Sequence, residues 1–140
     1  MPYTKILLVT RKAGISPQQF KDHWEHNHIA LLKGIVGEDF PLSHTRHYFE
    51  RDNESPYTPN VLYGTAEDFT CDAIAVFTFA NKAHWDRFVA KCSEPKNAAK
   101  LSEDDSKFLD QKKLKGVLVG DTRSTGRDGG SMGWRFVGSI

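Results

Sequence analysis

The stretch KILLVTRKAGISPQQFKDHWEHNHIALLKG, residues 5–34, decides the fold. Ile6 to Val9 form an unbroken apolar run, the mark of a strand covered on both faces, within an extended segment from about Tyr3 to Lys12. Gly14 turns the chain, and Ser16 followed by Pro17 reads as a helix N-cap with proline at the first helical position, where a missing N–H costs little. Phe20, Trp24, Asn27 and Leu31 then recur at spacings of four, three and four, which lines them along one stripe of a helix running to about Lys33. Gly34 and Gly37 are expected to end it.

Working outward, Ser43 to Arg51 reads as a second strand, with Tyr48 and Phe49 suiting a pleated surface. Residues 52–70 hold Asn53, Ser55, Pro56, Pro59, Asn60 and Gly64, the composition of a long loop. Asp72 to Phe79 reads as a central strand, with Ile74, Val76 and Thr78 on one face and Ala73, Ala75, Phe77 and Phe79 on the other. Asn81 is placed to cap a second helix whose stripe is Trp85, Phe88, Val89 and Cys92, and Pro95 is expected to close it. A short helix anchored by Phe108 and Leu109 and a last strand, Gly116 to Asp121, complete the order. This is the β-α-β-β-α-β plan of a ferredoxin-like α+β sandwich, with both helices on one face of the sheet. The other face keeps apolar side chains, so a homodimer closing an α+β barrel is expected. Residues 1–122 are expected to form this domain and residues 123–140 a Gly/Ser-rich tail carrying Trp134, Phe136 and Val137.

At 140 residues the chain suits one core. Its 39% apolar and 26% charged residues are those of a globular domain, and a formal charge of +1 supplies no field for nucleic acid or an anionic membrane surface. The N-terminal apolar run is too short for a membrane span or signal core, so a cytoplasmic location is expected. Cys71 and Cys92 form no metal or disulfide pattern and are expected to be reduced.

Five of the six histidines, His23, His26, His28, His44 and His47, lie in one helix-to-strand stretch. Histidine titrates near neutrality, so an acid–base site is the natural expectation. Helical spacing argues against a metal: neither His23 with His28 nor His26 with His28 has the i, i+4 geometry that shares an ion, and HExxH is absent. His28 borders the apolar stripe, and His26 falls on the solvent side beside Glu25. Along the second strand two registers are open. In one, Thr45, His47 and Phe49 face the helices and His47 meets His28 across a pocket lined by Trp24, Phe77, Trp85 and Phe88; in the other, His44, Arg46 and Tyr48 take those places. Tyr57 and Tyr63 could bring a phenol over the pocket mouth. No Gly-rich phosphate loop precedes a helix, so no cofactor is expected.

The segment SPQQFKDHWEHNHIALL, residues 16–32, resembles the opening of EthD-domain proteins, with Phe20, Trp24, His28 and Leu31 in the positions of the F-x-x-x-W and H-x-P-L motifs and Ala30 in place of the usual proline. The resemblance continues more loosely to about Asp121. It implies the dimeric α+β barrel and looks most like fungal EthD proteins that tailor polyketides. The expected activity is then a cofactor-free lyase or cyclase acting on a small polyketide-like aromatic substrate, with His28, His47 and Tyr63 catalytic and Trp24, Asn27, Phe77, Trp85, Phe88, His44 and Tyr48 binding substrate. The rivals are cofactor-independent oxygenation of an anthrone or quinol, and a dimeric ligand carrier without activity.

Overall fold

The first strand, β1 (Tyr3–Val9), runs through the middle of a four-stranded antiparallel sheet in a computed structural model that describes residues 2–132. Its partners are β3 (Ala73–Phe79) on one side and β4 (Lys115–Leu118) on the other, and β2 (Ser43–Tyr48) lies outside β3. The order β2-β3-β1-β4 with helices between β1 and β2 and between β3 and β4 is the ferredoxin-like α+β fold.

The Ser16 hydroxyl accepts from the Gln19 N–H and the Gln19 side chain accepts from the Ser16 N–H, a complete capping box that starts α1 (Pro17–His23). The helix does not stay regular. Trp24–His28 form a π turn in which the Ile29 N–H reaches back five residues to the Trp24 carbonyl, and α2 (Ile29–Val36) follows without a break. A π turn takes in one extra residue. The inward stripe therefore continues from Phe20 and Trp24 through His28 to Leu32 and Val36, instead of through Asn27 and Leu31 as α spacing predicts. Asn27 is exposed. Gly34 lies inside α2, and Gly37, at φ 53°, is the residue that ends it.

Asn81 caps α3 (Lys82–Ser93) by accepting from the His84 N–H at 2.9 Å. Pro95 does more than stop that helix: extended Glu94 breaks the chain direction, and Pro95 opens α4 (Pro95–Asp105) at its first turn. Phe108 and Leu109 lie beyond α4, in turns that bury them against α1, with Phe108 packed on Phe20, His23, Trp24 and His28. β2 ends at Tyr48, because Arg51 makes only an isolated bridge to Pro59, and β4 ends at Leu118. The 52–70 segment is a loop apart from one 3-10 turn, Ala66–Asp68. Past residue 122, β5 (Ser124–Thr125) and β6 (Ser131–Met132) make a small hairpin; Trp134, Phe136 and Val137 lie outside the described residues.

The core between helices and sheet is Val9, Phe20, Trp24, Leu32, Val36, Ala73, Ala75, Phe77, Phe79 and Phe88. The opposite face carries Ile6, Leu8, Ile74, Val76 and Val117, no helix of the described residues lying over it, and Val117 is 63% exposed.

Candidate active site

Sheet register places the chemistry. His44 pairs with Phe77, and Phe77 pairs with Lys5, which pairs with Leu118, so these four residues form one cross-strand row on the helix-covered face. Arg46 opposite Ala75 and Tyr48 opposite Ala73 share that face. The register that turns His44, Arg46 and Tyr48 inward is thus the one adopted. His47 pairs with Ile74 on the opposite face and is exposed, so it meets neither His28 nor the pocket residues. The reason is strand parity: alternate residues point to opposite sides, and Tyr48 beside Phe20 and Trp24 sets which set faces the core.

His28 is held elsewhere as well. Its Nδ1 lies 2.8 Å from Asp104 Oδ2 and its Nε2 3.5 Å from Asp105 Oδ1, while His23 Nε2 lies 3.0 Å from Asp104 Oδ1. Both imidazoles rest on Phe108. One buried carboxylate on α4 thereby fastens two histidines of the first helical arm, and burial pushes the Asp105 carboxyl above the usual range. Asn27 turns to this cluster, 3.3 Å from His23 Nδ1. Tyr63, 89% exposed, lies beside Phe49, Leu62 and Phe69 along a hollow of about 410 Å³ formed by the long loop, and His26 is exposed.

What the structure does gather is a pair of N–H groups. The His44 ring stacks on Phe77 with centroids 3.9 Å apart, and Trp24 lies 6.1 Å away. Arg46 Nη1 is 3.2 Å from His44 Nδ1. A guanidinium only donates, so Nδ1 accepts and the neutral ring carries its proton on Nε2. Burial first, then the charges of Arg46, His28 and Lys5, push His44 down to about 3, which keeps it neutral at pH 7. His44 Nε2 and Trp24 Nε1 are both buried and find no hydrogen-bond partner among the described residues. A buried N–H left unpaired costs free energy of order 1–3 kcal/mol, so two on neighbouring rings favour binding of an acceptor between them.

Arg46 is itself fixed. Its Nε and Nη2 donate to Glu25 at 2.5 and 3.0 Å, and the Tyr48 hydroxyl donates to the same carboxylate at 2.5 Å. These bonds hold Glu25 below the usual carboxylate range, and burial with the Glu25 charge raises the Tyr48 phenol. Glu25 therefore faces the sheet, not the solvent side that α spacing assigns it. Tyr48 serves the same brace, and Trp85 and Phe88 stack on each other and flank Lys5.

A cleft of about 340 Å³ lies on the far side of Phe20 and Tyr48, lined also by Pro17, Lys21, Arg51 and Tyr57. Its buried charges are matched within the protein: Asp72 accepts from Arg11 and lies 2.9 Å from Arg51 Nε, and Arg51 donates to the carbonyls of Tyr57 and Cys71. Arg51 Nε makes no hydrogen bond there but faces the Asp72 carboxylate, whereas the two unpartnered donors of the His44 row face no carboxylate. Among the described residues, no group of three or more His, Cys, Asp or Glu is placed to hold a metal ion, and no helix is long and apolar enough to cross a membrane.

Sequence reasoning passed over Lys5, Arg46 as a brace, and Asp104. Lys5 had a signal: it alternates with Tyr3, Leu7 and Val9, so it shares their inward face. Asp104 had none, because only tertiary packing brings α4 to His23 and His28.

Fold and site together define a ferredoxin-like α+β domain with a row of buried polar side chains between its helices and sheet. Comparison with known proteins gives the family. The EthD domain model matches residues 12–112, and the chain belongs to the EthD domain family. Among solved structures, a NIPSNAP family protein from Agrobacterium tumefaciens superposes with a TM-score of 0.53 at 12% identity, covering 87% of this chain and 94% of that one. An EthD-like protein from Ralstonia eutropha gives 0.51 at 13% identity over 84% and 87% of the two chains. An EthD family protein from Bacillus halodurans gives 0.50 at 14% over 86% and 99%. At these identities the likeness is one of fold. No curated protein matches.

Proposed function

We propose that this protein is a cofactor-free lyase or cyclase that binds a polyketide-like aromatic carbonyl compound between helices and sheet, with Trp24 and His44 donating to the oxygen on which charge develops. The observation that carries it is the pair of buried, unpartnered N–H groups on rings 6.1 Å apart. A neutral imidazole braced by Arg46 and Glu25 is a fixed electrophile, which stabilises an enolate or alkoxide without first having to reorganise. Phe77, Trp85 and Phe88 supply an apolar wall for a planar substrate. Donors of this kind are each worth about 10²–10³-fold in rate. The bare sheet face, with Ile6, Leu8, Ile74 and Val76, is the surface through which a second copy would close the barrel.

The test is turnover of a panel of aromatic 1,3-diketones and poly-β-keto esters by protein freed of metal with a chelator. His44→Phe and Trp24→Phe, each deleting one N–H while keeping an aromatic ring, should lower turnover about 10²-fold with the fold intact by circular dichroism. Unchanged kinetics in both variants would refute the reading. Stoichiometric oxygen uptake would move the activity to the oxygenase class.

A further inference from the structure

Lys5 lies in the row of the proposed site and plays no part in the donor pair. Its Nζ sits 4.3 Å from the Trp85 ring centroid, 4.6 Å from that of Phe77 and 5.5 Å from that of Phe88. Nothing neutralises it: among the described residues no carboxylate is ion-paired with it, and the titratable neighbour acting on it is the Cys92 thiol. Burial pushes that thiol up, so at pH 7 it offers no negative charge. Burial likewise lowers the Lys5 amine to about 8. Glu25, the carboxylate whose charge acts on His44, is already engaged by Arg46 and Tyr48. A cation under the helices with aromatic walls and no counter-ion is the electrostatic counterpart of the two empty donors: the missing partner is an anion.

The row also gives the ligand a length and a way in. Lys5 and His44 stand on strands two apart, so their Cα atoms are about 10 Å from each other, with the Phe77 ring between. Beyond Lys5 the row continues to Leu118, which is 55% exposed, leaving that end open among the described residues.

We propose that Lys5 is the anchor for an anionic group on the ligand, and that the site takes an aromatic carboxylic acid whose carboxylate meets Lys5 while a carbonyl about one ring further on meets Trp24 and His44. This rests on the site proposed above and adds the charge of what enters it.

The experiment is calorimetric titration at pH 7 with a matched pair of probes, 4-acetylbenzoate and 4-acetylbenzamide, each carrying a ketone across the ring. The unmodified protein should bind the acid at least about tenfold more tightly than the amide, the difference a desolvated charge pair produces. Lys5→Met keeps the length and apolar stem of the side chain; it should erase that preference while leaving amide affinity within about twofold. Lys5→Gln serves the same purpose should the methionine variant fail to fold by circular dichroism. Equal binding of acid and amide, a preference that survives loss of the amine, or no binding of either probe at millimolar concentration overturns the proposal. Trp24→Phe separates the two claims. If it weakens both probes while the Lys5 variants change nothing, the pocket stands and the anchor falls; if it weakens neither, the pocket falls as well.

Discussion

Truncating Asp104 to alanine removes the acceptor for two imidazoles at once, His23 at 3.0 Å and His28 at 2.8 Å. A hydrogen bond to a charged group contributes about 1.5–3 kcal/mol, and the two here share one carboxylate, so a combined loss of about 3 kcal/mol is expected. Both rings keep their packing on Phe108, which bounds the loss from above. For a domain of this size that corresponds to a fall in Tm of about 10 °C. Urea unfolding followed by tryptophan fluorescence and by circular dichroism measures it, and agreement of the two probes licenses a two-state analysis. The double-mutant cycle is the sharper assay. His28→Ala alone should cost a similar amount, and combining it with Asp104→Ala should reveal a coupling of about 1–2 kcal/mol, because each single change already breaks the shared bond. A loss below about 1 kcal/mol for Asp104→Ala, or costs that add within about 0.3 kcal/mol, would refute the view that His28 fastens α4 to the first helical arm.

His44 predicts a pH effect. Its folded-state pKa, about 3, lies below the unfolded value near 6.5, so the unfolded chain binds the proton first and stability falls as pH drops through that window, by up to about 1.4 kcal/mol per unit. His44→Phe should flatten that part of the stability profile, and equal acid sensitivity of both proteins between pH 6.5 and 4 would count against a buried neutral imidazole. Deleting Asn27 removes the extra residue of the π turn and lets regular α spacing carry the same stripe, so Tm should change by less than about 5 °C; a protein that no longer folds would contradict the role given to that turn. Ile74→Glu places a charge in the middle of the bare sheet face. It should halve the mass seen by ultracentrifugation, whereas a monomer before and after the change would remove the case for pairing through that face.

The fold was legible because its determinants are local or periodic. The Ser16–Pro17 start, the apolar run of β1, the parity of Ala73 to Phe79 and the Asn81 cap each act within a few residues, and together they leave few topologies. The site was legible only where the same rules reach. Trp24, Phe77, Trp85 and Phe88 belong to stripes and could be read directly. His44 against His47 turns on a one-residue choice of register that neither propensity nor composition decides, and the Asp104 clasp depends on how α4 docks. Lys5 is the instructive case: an inward lysine between Tyr3 and Leu7 is visible to anyone who applies strand alternation, but a continuous apolar run draws the eye past it.

The π turn links these points. With regular spacing, Asn27 and Leu31 would follow Trp24 into the core and His28 would turn aside. The added residue instead carries His28 to α4 and keeps Leu32 and Val36 on the sheet. In the same turn, Glu25 reaches Arg46 and Tyr48 on β2, and Arg46 holds the His44 tautomer whose Nε2–H is left free. The irregular turn thus does two jobs three residues apart: His28 at its end ties the first helical arm to α4, and Glu25 near its beginning sets the donor that sits beside Trp24. Single-turn π bulges persist because something beyond helix stability selects them, since their hydrogen bonding is poorer than that of the α-helix they interrupt. On the function proposed above, that something is the brace on His44, which would put the donor pair on the first helical arm and β2 and not, as the histidine-rich motif suggests, on His28.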